Sequence, residues 1–295
     1  MDSQEKLHKS NLRHSKLPTC SFKLVFFKRL FNIVQDINEE AINLAISDLR
    51  KNPDQTDEDF HKLKDYVASI YKVQVQVSGL KGEYQLSDSD VIFDESTLPD
   101  NITRIIIDNA SFFKMSTNME PQYKVIIEFN FSKPNVIDFT HNPSFETENN
   151  SYLQVYGFKE TWVNGAYDKI MNSLTEYKTN RSWLHGKGIY DVVLWFIYLP
   201  LVFWNLHKLE SVILKYLINI SNVLLVAIYI YIIVASLYVF RMLFDYTRWV
   251  FPYLELEARS RKGSNKHKGI WMAVFGSIFI AQIKDLVLYL LKVLF

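Results

Sequence analysis

One cysteine, Cys20, stands in 295 residues. A single thiol excludes an intrachain disulfide and any metal site built from several cysteines, and it fits a reducing compartment. An excess of either charge is also lacking: 33 Lys+Arg face 32 Asp+Glu. A near-neutral chain carries no general electrostatic footprint for nucleic acid. No apolar stretch precedes Leu17-Pro-Thr-Cys20, because EKLHKSNLRHSK is polar throughout. This argues against lipidation at Cys20 and against a cleaved signal peptide. Phosphate-binding glycine loop, nucleophile elbow, His-Glu-x-x-His motif and internal repeat are all missing. The expectation is a non-enzymatic protein, with no catalytic, cofactor-binding or metal-ligating residues and no cofactor.

Isolated polar groups do not change that expectation. Asp57, Asp59 and His61 fall in the first turn of an expected helix, where acids complement the dipole. Asp88 and Asp90 lack the glycine and distal glutamate of a calcium loop. Asp138 and His141 share a loop without a third chemical group. Trp162, Asn164 and Gly165 read as a cap and core anchor.

What the chain has instead is two unlike halves, divided near Trp183. The second is dominated by Leu, Ile, Val and aromatics. From Leu217 to Phe240 there is no charged residue. Some 24 residues make about 36 Å of helix, enough to cross a hydrocarbon core of roughly 30 Å with some tilt. A shorter run, Val192 to Leu206, is bounded by Asp191 and by His207 and Lys208. Pro200 is expected to kink it, which membrane helices tolerate. A third run, Ile270 to Ile283, is broken by Lys284-Asp285 before LVLYLLKVLF, and reads either as a span or as an interfacial helix. Trp183, Tyr190, Trp204, Trp249 and Trp271 are the expected interfacial anchors. Asn219, Ser221 and Asn222 are expected to join helices by hydrogen bonds.

Arg259, Arg261, Lys262, Lys266 and Lys268 crowd together between greasy segments, with Gly263 and Gly269 leaving the stretch flexible. Arg241 and Arg248 lie just upstream, and Lys178, Arg181 and Lys187 precede the first run. The link HKLESVILKY carries only Lys208 and Lys215 against Glu210. With the first two runs as a hairpin, Lys and Arg gather on the side of the amino-terminal half. The positive-inside rule makes that side the cytoplasm. The basic cluster then fixes topology and meets anionic lipid headgroups.

The first half is mixed. Residues 1–20 are expected to be a disordered basic tail. From Ser21, apolar residues recur at steps of three and four through Leu24, Phe27, Phe31, Val34, Ile37 and Ala41. Pro53 ends this helix, and Thr56 with Asp59 starts a second one, through about Tyr71. Val73–Gly79 alternates as a strand does, with further strands expected at Arg104–Ile107, Lys124–Phe131 and Leu153–Tyr156. A last helix from Glu160 to Trp183 is expected to act as a stalk into the membrane.

The reading is thus an α+β cytoplasmic head over 21–183, with a few-stranded antiparallel sheet and flanking helices. It is followed over 184–295 by an α-helical membrane region of two to three hydrophobic helices. Spans are placed at about 190–207 and 217–240, with 270–294 as the third segment. The expected function is an integral membrane protein whose head senses or binds a partner, anchored by a helical hairpin. Alternatives are a membrane-permeabilising effector triggered through the head and a membrane-tethered enzyme with an unrecognised site. Membrane lipids and a protein partner or second copy are the expected partners, with no nucleic acid.

Overall fold

Alternation in the first half and continuous apolar runs in the second produce two bodies in the computed structural model, which describes residues 10–94, 98–136, 140–216, 221–257 and 261–294. One body gathers residues 10–132, Asn149–Thr179 and 254–257; the other gathers 133–148, Asn180–Tyr253 and 261–294.

The first body is α+β. Its elements are β1 (Asn11–Lys16), β2 (Cys20–Phe22), α1 (Leu24–Asp48), α2 (Asp57–Ile70), β3 (Gln74–Gly79), β4 (Tyr84–Ser87), β5 (Ile102–Asp108), α3 (Ser111–Thr117), β6 (Lys124–Asn130), β7 (Tyr152–Gly157), α4 (Glu160–Thr175) and β8 (Leu254–Leu256). Six strands form one antiparallel sheet in the order β1-β7-β6-β5-β3-β4. Register aligns Val75, Ile107, Ile127 and Leu153 across four strands, and each of the four is fully buried. The side-chain period of two therefore sends one face inward, as the alternation predicts.

α1 covers that inner face with Phe27, Leu30, Val34, Ile37 and Ala41, while α4 adds Trp162, Ala166, Ile170 and Leu174. Phe22 stacks on Phe26 and meets Phe27 and Phe129 edge-on, an arrangement that exceeds simple area burial. α1 thus buries its apolar stripe within its own domain. Thr56 caps α2 by accepting from the Asp59 amide at 3.1 Å, as its sequence signature requires.

Three expectations are corrected. The disordered tail does not extend to residue 20, because Asn11–Lys16 pair residue for residue with β7; residues 1–9 lie outside the described residues. The stalk helix from Glu160 to Trp183 ends at Thr175. Its backbone is diverted beyond that point: the Ser21 amide donates to the Tyr177 carbonyl and the Thr179 amide to the Thr19 carbonyl. Finally, the boundary at 183 is not where the bodies part. Leu254–Leu256, far into the apolar half, pairs in parallel with Cys20–Phe22.

The second body is helical. Its elements are α5 (Ser182–His185), α6 (Ile189–Val193), a π turn at Leu194–Tyr198, α7 (Leu199–Tyr216), α8 (Asn222–Val250) and α9 (Arg261–Leu294). The wide turn at Leu194–Tyr198 lies just before Pro200, which lacks an amide hydrogen and whose ring crowds the carbonyl four residues back. The expected strain is taken up there. The link expected at His207–Tyr216 is helical, because it contains no helix breaker, so α7 runs to Tyr216. The expected span at 217–240 instead runs as α8 from Asn222 to Val250; residues 217–220 lie outside the described residues.

A buried polar network generates the first prediction. Asn109, fully buried at the end of β5, donates to Asn38 Oδ1 (2.9 Å) on α1 and to the Tyr123 carbonyl, and accepts from the Val125 amide (2.8 Å). Asn38 in turn donates to the Tyr71 carbonyl at 2.9 Å. Removing the amide strands several buried partners at once. Asn109→Ala should cost about 3 kcal/mol in denaturant unfolding. A loss under about 1 kcal/mol would mean that water reaches these groups.

Candidate membrane region and its polar base

Two helices of the second body, Ile189–Lys215 and Asn222–Val250, are long and apolar enough to cross a membrane, and only 6% of each apolar window is buried. Phe196 and Val223 are about four-fifths exposed, at 78% and 81%. These helices present apolar surface on nearly all sides, where a core helix of a water-soluble protein would be covered.

At their base lies a compact polar arrangement. The guanidinium of Arg248, buried near the end of α8, donates to three backbone carbonyls: Leu184 (3.2 Å), Pro143 (3.0 Å) and Phe145 (3.3 Å). Its carbon lies 4.8 Å from the centre of the Phe244 ring. Arginine suits the position because its planar fork offers five donors and keeps its charge. Next to it, His185 Nε2 lies 2.9 Å from the Phe251 carbonyl and Nδ1 lies 2.9 Å from Thr147 Oγ1. A carbonyl only accepts, so Nε2 carries the hydrogen; in the neutral ring Nδ1 then accepts from the threonine hydroxyl. Burial lowers the His185 pKa to about 4, against a smaller opposing effect of the Phe251 carbonyl.

The loop before residue 149 is laced to the first helix as well. Ser144 donates to Asp191 at 2.8 Å, and its carbonyl accepts from the Gly188 amide at 2.8 Å. Gly188 has φ +76°, a left-handed conformation that glycine adopts without steric penalty, and it opens α6. Above this base Leu184, Tyr190, Phe240 and Phe244 form a buried cluster.

The expected site residues divide. Trp183 is exposed (60%), whereas Tyr190 is packed between Phe240 and Phe244. Trp249 stacks on Tyr246 beneath Lys133, and Trp271 donates to Thr247 Oγ1 at 2.9 Å. Lys208 Nζ lies 5.3 Å from the Trp204 ring. Ser221 does not join helices: it caps α8, accepting from the Leu224 amide, and Asn222 is exposed in the first turn. Hydrogen bonds between helices are made by other residues, among them Tyr198 to the Ser236 carbonyl (2.7 Å) and Gln282 to Asn205 (3.1 Å).

Of the basic cluster, Lys266 is exposed and Lys268 half-buried, and Arg261 and Lys262 belong to the first turn of α9. Arg259 and Asn219 lie outside the described residues. The flexible linker expected around Gly263 and Gly269 is corrected, because both glycines are within α9. With Gly276 the helix holds three glycines, each costing about 1 kcal/mol in a helix interior, which 34 residues of helix absorb.

Arg248 and His185 were invisible as partners in the sequence, since their acceptors are carbonyls of ordinary loop residues. Among the described residues, no group of three or more His, Cys, Asp or Glu is placed to hold a metal. No protein-family model, no curated protein and no solved structure matches the chain.

The base generates two predictions. Arg248→Ala leaves three buried carbonyls without their donor and should lower stability by about 3 kcal/mol, with Arg248→Lys only partly restoring it. Thermal melts in detergent would show this; an unchanged melting temperature would remove Arg248 from the structural account. His185 is disfavoured as a cation when folded, so its contribution is intact above its ordinary value of 6.5. As pH falls from 6.5 toward about 4, the unfolded chain takes up the proton first and stability declines. His185→Gln should flatten that part of the stability profile, and an identical slope in variant and parent would refute the assignment.

Proposed function

We propose that the chain is an integral membrane protein whose α+β domain faces the cytoplasm, binds a partner or signal there, and is anchored by the hairpin of Ile189–Lys215 and Asn222–Val250. The observation that carries this reading is the exposure of these two helices, whose apolar windows are only 6% buried. Leaving that much apolar area in water costs roughly 25 cal/mol for each Å², and a bilayer removes the cost.

The route of the chain supports a hairpin. It leaves the α+β body after Thr179 and rejoins it at Leu254, where β8 pairs with β2. An excursion that returns to the same body crosses a bilayer an even number of times. The charge distribution supports the cytoplasmic side for that body, with Lys178, Arg181, Lys187, Lys266 and Lys268 near it in sequence and few net charges at the far turn. A binding role is supported by the outer face and edges of the sheet. Leu12, Tyr84 and Leu86 are exposed there at 57%, 60% and 45%, alongside half-exposed Tyr152 and Tyr156.

The test is alkaline carbonate extraction of membranes from cells expressing the full chain, combined with labelling of introduced cysteines. Cys20 will not interfere, because it is buried and its pKa is pushed up to about 12 by burial. The protein should stay in the pellet, Lys215→Cys should react with an impermeant maleimide in intact cells, and Lys266→Cys should react only after permeabilisation. Release by carbonate would end the membrane reading; the reverse labelling would end the orientation.

A further inference from the structure

α9 is the one long helix whose role the hairpin does not settle, and its polar contacts define where it runs. At its beginning, His267 Nδ1 lies 3.0 Å from Tyr246 OH and Trp271 Nε1 donates to Thr247 Oγ1, both on the last turns of α8. Toward its end, Gln282 donates to Asn205 Oδ1 at 3.1 Å and Asp285 is ion-paired with Lys208 Nζ, both on α7. The first pair of partners lies on the last turns of α8 and the second in the later part of α7, toward opposite ends of the hairpin. A helix lying flat on one membrane surface cannot touch both ends. From His267 to Asp285 an α-helix rises about 27 Å, close to the roughly 30 Å of a hydrocarbon core.

The register is consistent with this. Both α7–α9 contacts join residues 77 apart in the chain, so the two helices run parallel and in step. At the same offset of 77, Ile270–Ile283 stands level with 193–206, which is the uncharged run of the first hydrophobic helix. Lys208 and Asp285 then meet where both apolar runs end. Their side chains are 37% and 45% exposed, as befits a pair at the rim of an apolar slab. A charge within or beside the hydrocarbon is tolerated when it is paired or can reach the interface.

We infer that α9 is a third membrane crossing, parallel to the first and clasped to it by Asn205–Gln282 and Lys208–Asp285. Its carboxy end therefore emerges on the side of the turn between α7 and α8. The interaction surface this assigns is the hydrophobic interior of the bilayer along Ile270–Ile283, with the clasp at its distal face. The inference rests on the membrane reading above, and its test is relational so that the two can fail separately.

The experiment uses the full chain with single introduced cysteines at Lys215, Lys266 and Lys292, labelled by an impermeant maleimide before and after permeabilisation. Lys215→Cys and Lys292→Cys should label from the same side, and Lys266→Cys from the other. If the protein is carbonate-resistant but Lys292→Cys labels with Lys266→Cys, the third crossing is overturned while the hairpin stands. The clasp is tested in the Lys292→Cys background by Asp285→Lys, which sets two cations against each other. The fraction of Lys292→Cys labelled on the distal side should fall several-fold, and the exchange Lys208→Asp with Asp285→Lys should restore it. Equal distal labelling in the parent, single and exchanged chains would overturn the clasp.

Discussion

The helical body depends on one guanidinium. Loop residues 143–147 expose backbone carbonyls at the base of two apolar helices, where ordered structure excludes water and unsatisfied acceptors are costly. Arg248 donates to Pro143, Phe145 and Leu184 together. A lysine would bring its three donors on a single nitrogen, without the planar fork that reaches acceptors from three nitrogens, and a neutral amide would not bring the charge that strengthens each bond. With the loop held, Ser144 can accept from Gly188 and donate to Asp191, which fixes where the first hydrophobic helix begins. His185 completes the arrangement by bonding the Phe251 carbonyl at the end of α8. The start of one hydrophobic helix and the end of the other are thus joined through a loop.

The second constraint is the path of the chain. β8 is only three residues long, yet it pairs with β2, 234 positions earlier, and the Glu257 amide donates to the Phe22 carbonyl at 2.8 Å. Pairing so distant in sequence carries a closure entropy that grows slowly with loop length, so a 200-residue excursion costs little more than a shorter one. It makes the α+β body discontinuous in sequence. No side-chain pattern could have announced this, because a three-residue strand shows barely one period of alternation.

Legibility followed the physical origin of each element. α1 and strands β3, β5, β6 and β7 were readable because their apolar residues repeat at the helix or strand period and are buried. β1 was not, because its inward residues Asn11, Arg13 and Ser15 are polar. Asn11 donates to the Phe158 carbonyl, Arg13 to Asp168 across the Tyr167 ring, and Ser15 accepts from Tyr167 OH. That strand is held by hydrogen bonds that mimic a solvated tail in a hydropathy pattern. The helical far link and the helical basic cluster were misread for the opposite reason: charge and glycine suggested flexibility, whereas helix propensity and helix length decided the backbone. The apolar runs themselves were plain, but Arg248, His185 and the Asn205–Gln282 contact involve partners distant in sequence and were not.

The arginines at the end of α8 carry two roles that act at different times. In the proposed orientation Arg241 and Arg248 belong to the charge excess that keeps the domain side of the hairpin from crossing, an effect exerted on the nascent chain before tertiary structure exists. In the folded chain Arg241 donates to the His141 carbonyl at 2.6 Å, and Arg248 is committed to its three carbonyls. The carbonyls therefore compete with lipid headgroups for the same charge. Buried acceptors at fixed geometry win for Arg248, because its guanidinium is already desolvated and headgroup contact would expose the loop. Exposed Lys266 has no such enclosure, and in the proposed orientation it is the residue available to lipid headgroups. Basic residues that look alike in sequence thus differ in enclosure: Arg248 is buried against carbonyls, whereas Lys266 is exposed.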